Sequence, residues 1–170
     1  MEFITAKTEH LDKIWEITLE AKAQLKRMGL DQWQKGYPEK ENWLGDIKAQ
    51  TAYLAVENGK IVGAFMLLTK NEPSYDIING KWLSDAPYAS LHRVCVSDSA
   101  KGRGVAGKMF AEGCRLAKEF GLDSMRIDTH PENKSMLRAI EKFGFTKCGI
   151  IKIKGSSEDG DERVAFEKLI

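Results

Sequence analysis

Apolar residues in the first third of the chain recur with the spacing of amphipathic helices. Between residues 8 and 28 they stand three or four positions apart, with Lys, Glu and Gln between them, at Ile14, Ile17, Ala21, Leu25 and Met28. Residues 29–38 interrupt the pattern with glycine and proline, and a similar spacing returns in residues 39–50. The sequence therefore predicts one long helix followed by one short helix.

Two apolar runs in the middle of the chain are typical of a β-hairpin. Thr51–Val56 and Ile61–Leu68 are joined by a turn at residues 57–60. The second run is apolar throughout, which predicts a strand buried on both faces. The segment that follows, Asn71–Ala89, contains prolines and a glycine and has no steady period, so we expect a long loop there, of the kind that is usually functional or mobile.

The second half of the chain alternates between strand and helix patterns. The predicted elements are a strand at Leu91–Val96, a helix from about Gly104 to Phe120, a strand at Ser124–Asp128, a helix at Lys134–Phe143, and strands at Phe145–Ile153 and Arg163–Leu169. We expect Val105, Met109, Leu116 and Phe120 to form the buried face of the first of these helices. The alternation predicts an α/β fold in a single domain that covers residues 1–170.

Charge and hydropathy narrow the classes of function. The 170 residues carry 26 Lys and Arg against 25 Asp and Glu, a formal net charge of +1. A broad nucleic-acid-binding face needs many unopposed cations, so we expect no nucleic acid partner. The longest uncharged apolar run, Ile61–Leu68, is far shorter than the roughly 20 residues of a membrane-spanning helix, so we expect no membrane partner.

Cysteine usage indicates the compartment. Cys95, Cys114 and Cys148 are odd in number, widely spaced and set in apolar surroundings. This pattern is typical of buried reduced thiols rather than of a disulfide or a metal site, and we expect no metal. The first residues carry charges and lack the pattern of a secretory signal. We therefore expect a cytoplasmic protein.

A glycine-rich segment, residues 99–108, lies between a predicted strand and a predicted helix, where backbone N–H groups and the helix dipole suit a phosphate. Two motif matches are incomplete here. The phosphate-binding loop of nucleotide hydrolases would need a Ser or Thr hydroxyl where Met109 stands. The dinucleotide fingerprint also matches at Asp128, which stands at the position of the ribose-binding acid. About 40 residues follow Asp128, however, and these are too few for a doubly wound sheet.

A third match extends along the whole chain. Lys101-x-x-Gly104-x-Ala106 resembles the Arg/Gln-x-x-Gly-x-Gly/Ala signature of the GNAT superfamily of acyl-CoA N-acyltransferases. Farther along, Asn133 at a predicted helix start and Gly144-Phe145 at its end stand where many members of this family have them. The resemblance covers the chain from about residue 3 to residue 170.

The resemblance implies a mixed central sheet of about six to seven strands flanked by about four helices. Two parallel strands, here Leu91–Val96 and Ser124–Asp128, splay apart in such a sheet, and acetyl-CoA lies in the gap. Strand backbone would hold the pantetheine and the thioester, and the glycine-rich segment would hold the pyrophosphate. The residues assigned in this way to acetyl-CoA are Val94, Cys95, Val96, Lys101, Gly102, Arg103, Gly104, Val105, Ala106, Gly107, Lys108, Asn133 and Met136.

The resemblance also implies the reaction, acetyl transfer to an amine, which needs a neutral amine and a proton for the departing thiolate. Many family members carry a Tyr that acts as the general acid where this chain has Ile140. His92, nine residues before Lys101, is the first candidate base, and a histidine without a catalytic role is the alternative. His130 ranks second, with fixing of a turn as its alternative, and Tyr88 ranks third, with packing or tethering of the loop.

The expected acceptor is a primary amine of a small molecule or a peptide. Aromatic faces and carboxylates suit a cationic amine, and those available are Trp33, Tyr37, Trp43, Tyr75, Asp76, Trp82, Asp85 and Tyr88. The protein is expected to be a monomer or a homodimer. Two alternatives stay open at this point, namely a CoA-binding module without catalysis and a nucleotide-binding oxidoreductase.

Overall fold

The computed structural model describes residues 1–170 and is built around one mixed sheet of eight strands. The strands are β1 (Glu2–Thr5), β2 (Ala52–Glu57), β3 (Lys60–Leu68), β4 (Ile78–Gly80), β5 (Tyr88–Val96), β6 (Ser124–Thr129), β7 (Thr146–Lys152) and β8 (Glu162–Leu169). The helices are α1 (Leu11–Arg27), α2 (Lys40–Lys48), α3 (Val105–Glu119) and α4 (Lys134–Phe143). None of them is long and apolar enough to cross a membrane. The strand order is β1-β2-β3-β5-β6-β8-β7-β4, and only β5 and β6 are parallel neighbours.

The predicted fold class is confirmed, and the sheet has eight strands because β4 lies within the segment expected to be a loop. Three residues are too few to show an alternating pattern. The approach of β4 to β7 is so close that a Cβ on Gly80 would lie 2.1 Å from the carbonyl oxygen of Cys148. A Cβ on Gly149 would lie 2.2 Å from the carbonyl oxygen of Asn79. Glycine is therefore required at both positions for this pairing.

Two apolar cores lie on opposite faces of the sheet, since neighbouring residues of one strand belong to different cores. On β3, Phe65 packs in the core that contains Phe110 of α3, and Ala64 packs in the core that contains Trp43 of α2. The expectation that this strand is buried on both faces is thereby confirmed. The expectation for Phe120 is wrong, because this residue follows the last residue of α3 and is 57% exposed.

The parallel strands β5 and β6 separate after a short paired stretch, as the resemblance implies. Tyr88–Leu91 pairs with Ser124–Ile127, and there the pairing ends although β5 continues to Val96. On its other side, β5 stays paired with β3 through a bulge in which Arg93 has a φ of 53°. The backbone of β5 beyond the paired stretch therefore faces a gap on the side of β6.

The three cysteines are buried and none forms a disulfide, as the sequence predicts. Burial raises the pKa of the Cys95 thiol to about 12 and that of the Cys114 thiol to about 11. Both thiols are therefore protonated at neutral pH and unreactive as nucleophiles.

Candidate active site

A cleft of about 770 Å³ opens where β5 and β6 separate. It has two halves. The loop half is formed by residues 100–102 and 104–107, before and at the start of α3, together with Asn133, Ser135 and Met136 at the start of α4. The carboxylate half is formed by Trp33, Tyr37, Glu72, His92 and Asp128. Strand β5 connects the two halves, since it carries His92 and leads into the segment before α3.

The loop half presents backbone groups to the cleft. Gly102 and Gly104 have φ values of 75° and 74°, in the left-handed region that glycine adopts without strain. The amide N–H groups of residues 102–107 donate no hydrogen bond within the protein. Because the positive end of the α3 dipole adds to these free donors, the loop half is suited to binding an anion.

Most of the residues predicted to contact acetyl-CoA line the cleft, namely Val94, Cys95, Val96, Lys101, Gly102, Gly104, Val105, Ala106, Gly107, Asn133 and Met136. Arg103 and Lys108 do not line it. The guanidinium of Arg103 contacts the carboxylate of Glu57, and the ammonium of Lys101 contacts that of Asp98. Part of the positive charge expected around a pyrophosphate is therefore already paired with neighbouring carboxylates.

Asn133 fixes the start of α4 at the edge of the loop half. Its Oδ1 accepts the N–H of Met136 at 3.2 Å, which is the usual role of an Asn at a helix N-cap. Its Nδ2 donates to Oε1 of Gln32 at 3.4 Å. The side chain thus connects α4 to the segment between α1 and α2, and only 8% of the residue is exposed.

Among the three candidate catalytic residues, only His92 lines the cleft. Its Nε2 lies 3.0 Å from Oγ of Ser90 and 3.3 Å from Oε2 of Glu72. Its ring stacks on that of Tyr75, with the centroids 6.2 Å apart. Burial lowers the pKa of His92, and the carboxylates of Asp128 and Glu72 oppose that effect. The imidazole is therefore neutral at neutral pH and able to accept a proton.

The structure places the other two candidates outside the cleft lining. His130 Nε2 lies 3.2 Å from Oδ1 of Asp31, and its Nδ1 accepts the N–H of Glu132 at 3.0 Å. The Tyr88 hydroxyl accepts the N–H of Glu72 at 3.2 Å. His130 thus holds a turn and Tyr88 tethers a loop, which are the non-catalytic alternatives that the sequence left open for them.

Glu72 and Asp128 are the residues of the carboxylate half that sequence reasoning missed as catalytic candidates. Glu72 caps the 3₁₀ turn Pro73–Tyr75, where its Oε1 accepts a backbone N–H at 3.0 Å. Asp128 lies near the end of β6, and its Oδ1 accepts the hydroxyl of Tyr75 at 2.7 Å. Burial raises the pKa of Asp128 and that of Tyr75. The acid before a proline is a local capping signal, but nothing in the sequence brings Glu72 next to His92.

Among the aromatic and acidic residues expected to face the acceptor, only Trp33 and Tyr37 line the cleft. The rings of Trp82 and Tyr88 instead contact the guanidinium of Arg126, at 4.0 and 3.9 Å from their centroids. Cation–π contacts of this kind stabilise the segment between β4 and β5. The aromatic residues of that segment therefore contribute to its packing rather than to the cleft lining.

Two loops meet at one side of the carboxylate half. From the segment between α1 and α2, the N–H of Trp33 donates to the carboxylate of Glu158, and the N–H of Tyr37 donates to Oγ of Ser157 at 3.2 Å. The second oxygen of Glu158 lies 3.0 Å from Nη2 of Arg163. These contacts fix the position of the two aromatic rings that line the cleft.

Two carboxylates of the carboxylate half form no ion pair with a Lys or Arg side chain, because the nearby Arg93 is paired with another acid. The Arg93 guanidinium makes two hydrogen bonds of 2.9 Å to the carboxylate of Asp46 and one of 2.9 Å to the hydroxyl of Tyr37. Sequence reasoning missed this arginine. Glu72 and Asp128 have no Lys or Arg within ion-pair distance, and His92 is the titratable base next to them.

The architecture contradicts the dinucleotide-binding interpretation of the glycine-rich segment. A dinucleotide-binding fold needs a doubly wound parallel sheet, whereas β5 and β6 are the single parallel pair here. No group of three His, Cys, Asp or Glu side chains is arranged to hold a metal ion.

Comparison with known proteins gives a consistent result. The family model described as "Acetyltransferase (GNAT) family" matches residues 12–145. A GNAT-family acetyltransferase structure from Streptococcus agalactiae 2603 is 31% identical, with 99% of this chain and 95% of that chain covered and a TM-score of 0.87. One from Listeria monocytogenes 4b F2365 is 20% identical, with 99% and 94% covered and a TM-score of 0.73, which is a likeness of fold. Aminoglycoside N(6')-acetyltransferase type 1 of Serratia marcescens is 26% identical over 116 residues, 68% of this chain and 78% of that protein.

Proposed function

The chain belongs to the acetyltransferase (GNAT) family, and on this premise we propose that it is a cytoplasmic N-acetyltransferase that uses acetyl-CoA. The acceptor is a primary amine of a small molecule or a peptide. The observation that carries the proposal is the cleft between β5 and β6, which joins the free backbone amides of residues 102–107 to a neutral imidazole on β5. The three free, buried cysteines support a reducing compartment.

The loop half fits the pyrophosphate and the pantetheine of acetyl-CoA. The amides of residues 102–107 supply a row of donors to the phosphate oxygens. A Cβ on Gly102 or Gly104 would meet no protein atom within 4 Å, so the space in front of these residues is open to a ligand. The unpaired edge of β5 offers backbone groups to the amides of the pantetheine arm, as a sheet edge does to an added strand.

His92 takes the proton of the attacking amine, directly or through a water. Acetyl-CoA supplies an activated thioester, so holding the amine next to it contributes much of the rate. Backbone N–H groups of β5 near Val94 stabilise the negative charge that develops on the thioester oxygen. In the overall balance, the proton that leaves the nitrogen ends on the sulfur of CoA.

A cationic acceptor fits the carboxylate half. Glu72 and Asp128 have no Lys or Arg partner, and Trp33 lines the same half with an aromatic ring, a group that attracts ammonium ions. The exposed Lys154 adds one positive charge at the cleft. The relative from Serratia marcescens is named for its action on aminoglycosides, which are amines with several positive charges. Amino sugars therefore stand first in a screen for the acceptor.

One observation favours a second candidate, a CoA-binding module without turnover. Ile140 stands where many family members carry a Tyr, and it is fully buried in the core that contains Phe110. Helix α4 thus brings no acidic side chain to the cleft at this position. If His92 also has no catalytic role, the cleft binds acetyl-CoA without transferring the acetyl group.

Two measurements test the proposed function. Thermal unfolding with acetyl-CoA, NADH and ATP in parallel identifies the ligand, because a ligand at 100 times its Kd adds about 2.7 kcal/mol of stability. We expect acetyl-CoA to stabilise the protein, and stabilisation by NADH alone would contradict the proposal. Thiol release is then followed with amino sugars, polyamines, arylalkylamines and peptide N-termini. Release with any of them supports the enzyme, whereas acetyl-CoA binding without release supports the CoA-binding module.

A further inference from the structure

The two ring nitrogens of His92 have different surroundings. Nε2 faces the hydroxyl of Ser90 at 3.0 Å and the carboxylate of Glu72 at 3.3 Å. Nδ1 makes no hydrogen bond within the protein. Because every buried side-chain nitrogen or oxygen has a hydrogen-bond partner, Nδ1 must be reached by solvent. His92 lines the cleft and 17% of its side chain is exposed, which makes the cleft the route by which solvent and an acceptor amine reach Nδ1.

The carboxylate of Glu72 decides which nitrogen carries the proton of the neutral ring. An ionised carboxylate only accepts hydrogen bonds, so its contact with Nε2 is favourable when Nε2 carries the proton and unfavourable when Nε2 carries a lone pair. The hydroxyl of Ser90 both donates and accepts, so it fits either state. The lone pair of the neutral ring is therefore on Nδ1.

We propose that Glu72 is a positioning residue for acetyl transfer, which fixes the proton of His92 on Nε2 and leaves Nδ1 free to take the proton of the acceptor amine. This inference rests on the proposed function and deepens it. The lone pair of the amine forms the bond to the acetyl carbon, and the carbon–sulfur bond breaks with its electrons on sulfur. The electrons of the N–H bond stay on nitrogen as its proton moves to Nδ1, and the negative charge of Glu72 stabilises the resulting imidazolium.

The loop that carries Glu72 holds this carboxylate in place before any substrate binds. Its Oε1 accepts the N–H of Ser74 at 3.0 Å, and its own N–H donates to the Tyr88 hydroxyl at 3.2 Å. That hydroxyl donates in turn to the side chain of Asn71 at 3.0 Å. The second oxygen, Oε2, is thereby held next to His92 by a preformed turn.

The other titratable groups near His92 make no hydrogen bond or ion pair with its ring. The titratable and charged groups that face it are Glu72, Tyr75, Asp128, Arg93 and Asp46. Oδ1 of Asp128 accepts the Tyr75 hydroxyl, and no atom of Asp128 lies within ion-pair distance of the ring. Arg93 and Asp46 are paired with each other. Asp128 therefore affects His92 through its charge, and Glu72 is the carboxylate in contact with the ring.

Long-range ¹H–¹⁵N NMR of the histidine rings measures the tautomer directly, at a pH about two units above the ordinary histidine pKa. The chain has three histidines, so single variants assign the signals. His10 and His130 each accept a backbone N–H at Nδ1, at 3.0 Å, and serve as internal references for the Nε2–H form. We expect the same pattern for His92. A proton on Nδ1 of His92 overturns the proposal, and because no substrate is present this result is independent of whether the protein acetylates any amine.

Three variants identify the group that sets the tautomer. Glu72→Gln removes the charge and keeps an oxygen that can cap the turn, and we expect it to raise the fraction of His92 rings protonated on Nδ1. Ser90→Ala and Asp128→Asn are the controls, and we expect both to keep the pattern of the parent protein. An unchanged pattern in Glu72→Gln, or a switch in Ser90→Ala, overturns the proposal.

Steady-state kinetics with an amine that the protein acetylates provide a second readout. Glu72→Gln should lower kcat about 10- to 100-fold, part of the effect of a general base, with little change in the KM for acetyl-CoA. The midpoint of the ascending limb of the pH–rate profile should move to lower pH, because a negative charge that favours the imidazolium is lost. A fall in kcat without movement of the limb means a merely structural role and overturns the proposal.

Discussion

The loop half and the carboxylate half of the cleft are built from different parts of the chain. In the loop half, consecutive amides of residues 102–107 face an open space, and the side chains of Arg103 and Lys108 lie outside the lining. In the carboxylate half, side chains from four separate segments converge, namely Trp33 and Tyr37, Glu72, His92, and Asp128.

On the proposed function, the loop half binds the acetyl donor and the carboxylate half binds the acceptor amine, and the two halves are specified by the sequence in different ways. Backbone donors at a helix start depend on local conformation, so they are specified by a few glycines. Side chains from distant segments can change one at a time without altering that backbone. Keeping two half-buried carboxylates near a histidine without a Lys or Arg partner is costly for stability, which is a mark of a functional site.

Replacing His92 tests the carboxylate half with the largest expected effect. We expect His92→Ala to lower kcat about 10²–10⁴-fold, the usual cost of losing a general base, with little change in acetyl-CoA affinity. The ascending limb of the pH–rate profile should disappear or move towards the pKa of the free amine. Steady-state thiol release with an accepted amine measures both effects.

His130→Ala is the matched control, because His130 does not line the cleft. It should turn over at the parent rate. A normal rate and pH profile in His92→Ala would refute the base assignment, and a selective loss of rate in His130→Ala would transfer the role to that residue.

Replacing Gly104 tests the loop half. We expect Gly104→Glu to weaken acetyl-CoA binding about 100-fold or more, because a carboxylate would occupy the anion site and the left-handed backbone costs roughly 1–2 kcal/mol for a residue other than glycine. Calorimetric titration with acetyl-CoA measures the loss.

Gly121→Glu separates the site from the strain. Gly121 lies just after the other end of α3, has a φ of 72° against 74° at Gly104, and a Cβ there also meets no atom within 4 Å. The control should lose similar stability and bind acetyl-CoA like the parent. Equal affinity in the two variants would mean that the anion site lies elsewhere.

Asn133→Ala should have a smaller effect, which sharpens the contrast between backbone and side chain within the loop half. Loss of an N-cap costs about 0.5–2 kcal/mol, which corresponds to a fall in Tm of a few degrees. Acetyl-CoA affinity should fall less than in Gly104→Glu. Affinity lost to the same extent would show that the Asn133 side chain itself holds the ligand, which differential scanning fluorimetry and calorimetry together would reveal.

The smallest expected effect concerns the stability cost of burying His92. Burial lowers its pKa in the folded state, so the unfolded state binds more protons as the pH falls below the ordinary histidine value. His92 therefore lowers the free energy of unfolding as the pH falls through the ordinary histidine pKa, and the His92→Gln variant should lose less stability over the same pH range. The test compares urea midpoints at pH 7.5 and 5.5, and an equal decline in parent and variant would contradict this origin.

The two halves also differ in how far the sequence predicts them. Residues 101–107 are close together along the chain, so their spacing predicts an anion site, and the resemblance along the whole chain selects among the three motifs that this segment fits. The contact between Glu72 and His92 depends on the bulge in β5 and on the path of a loop, neither of which has a local signature. The long helices are predicted well because their period repeats, whereas β4 and the exposure of Phe120 depend on short-range details at the ends of elements.

Backbone amide NMR during a titration with acetyl-CoA shows which half of the cleft the acetyl donor contacts. We expect the amides of residues 102–107, which have no acceptor in the protein, to shift together and to saturate with the ligand. The amides of Trp33 and Tyr37 should shift much less, since donor binding leaves their half free for the amine. Saturable binding that leaves residues 102–107 unshifted and perturbs the carboxylate half instead would refute the assignment of the loop half to acetyl-CoA.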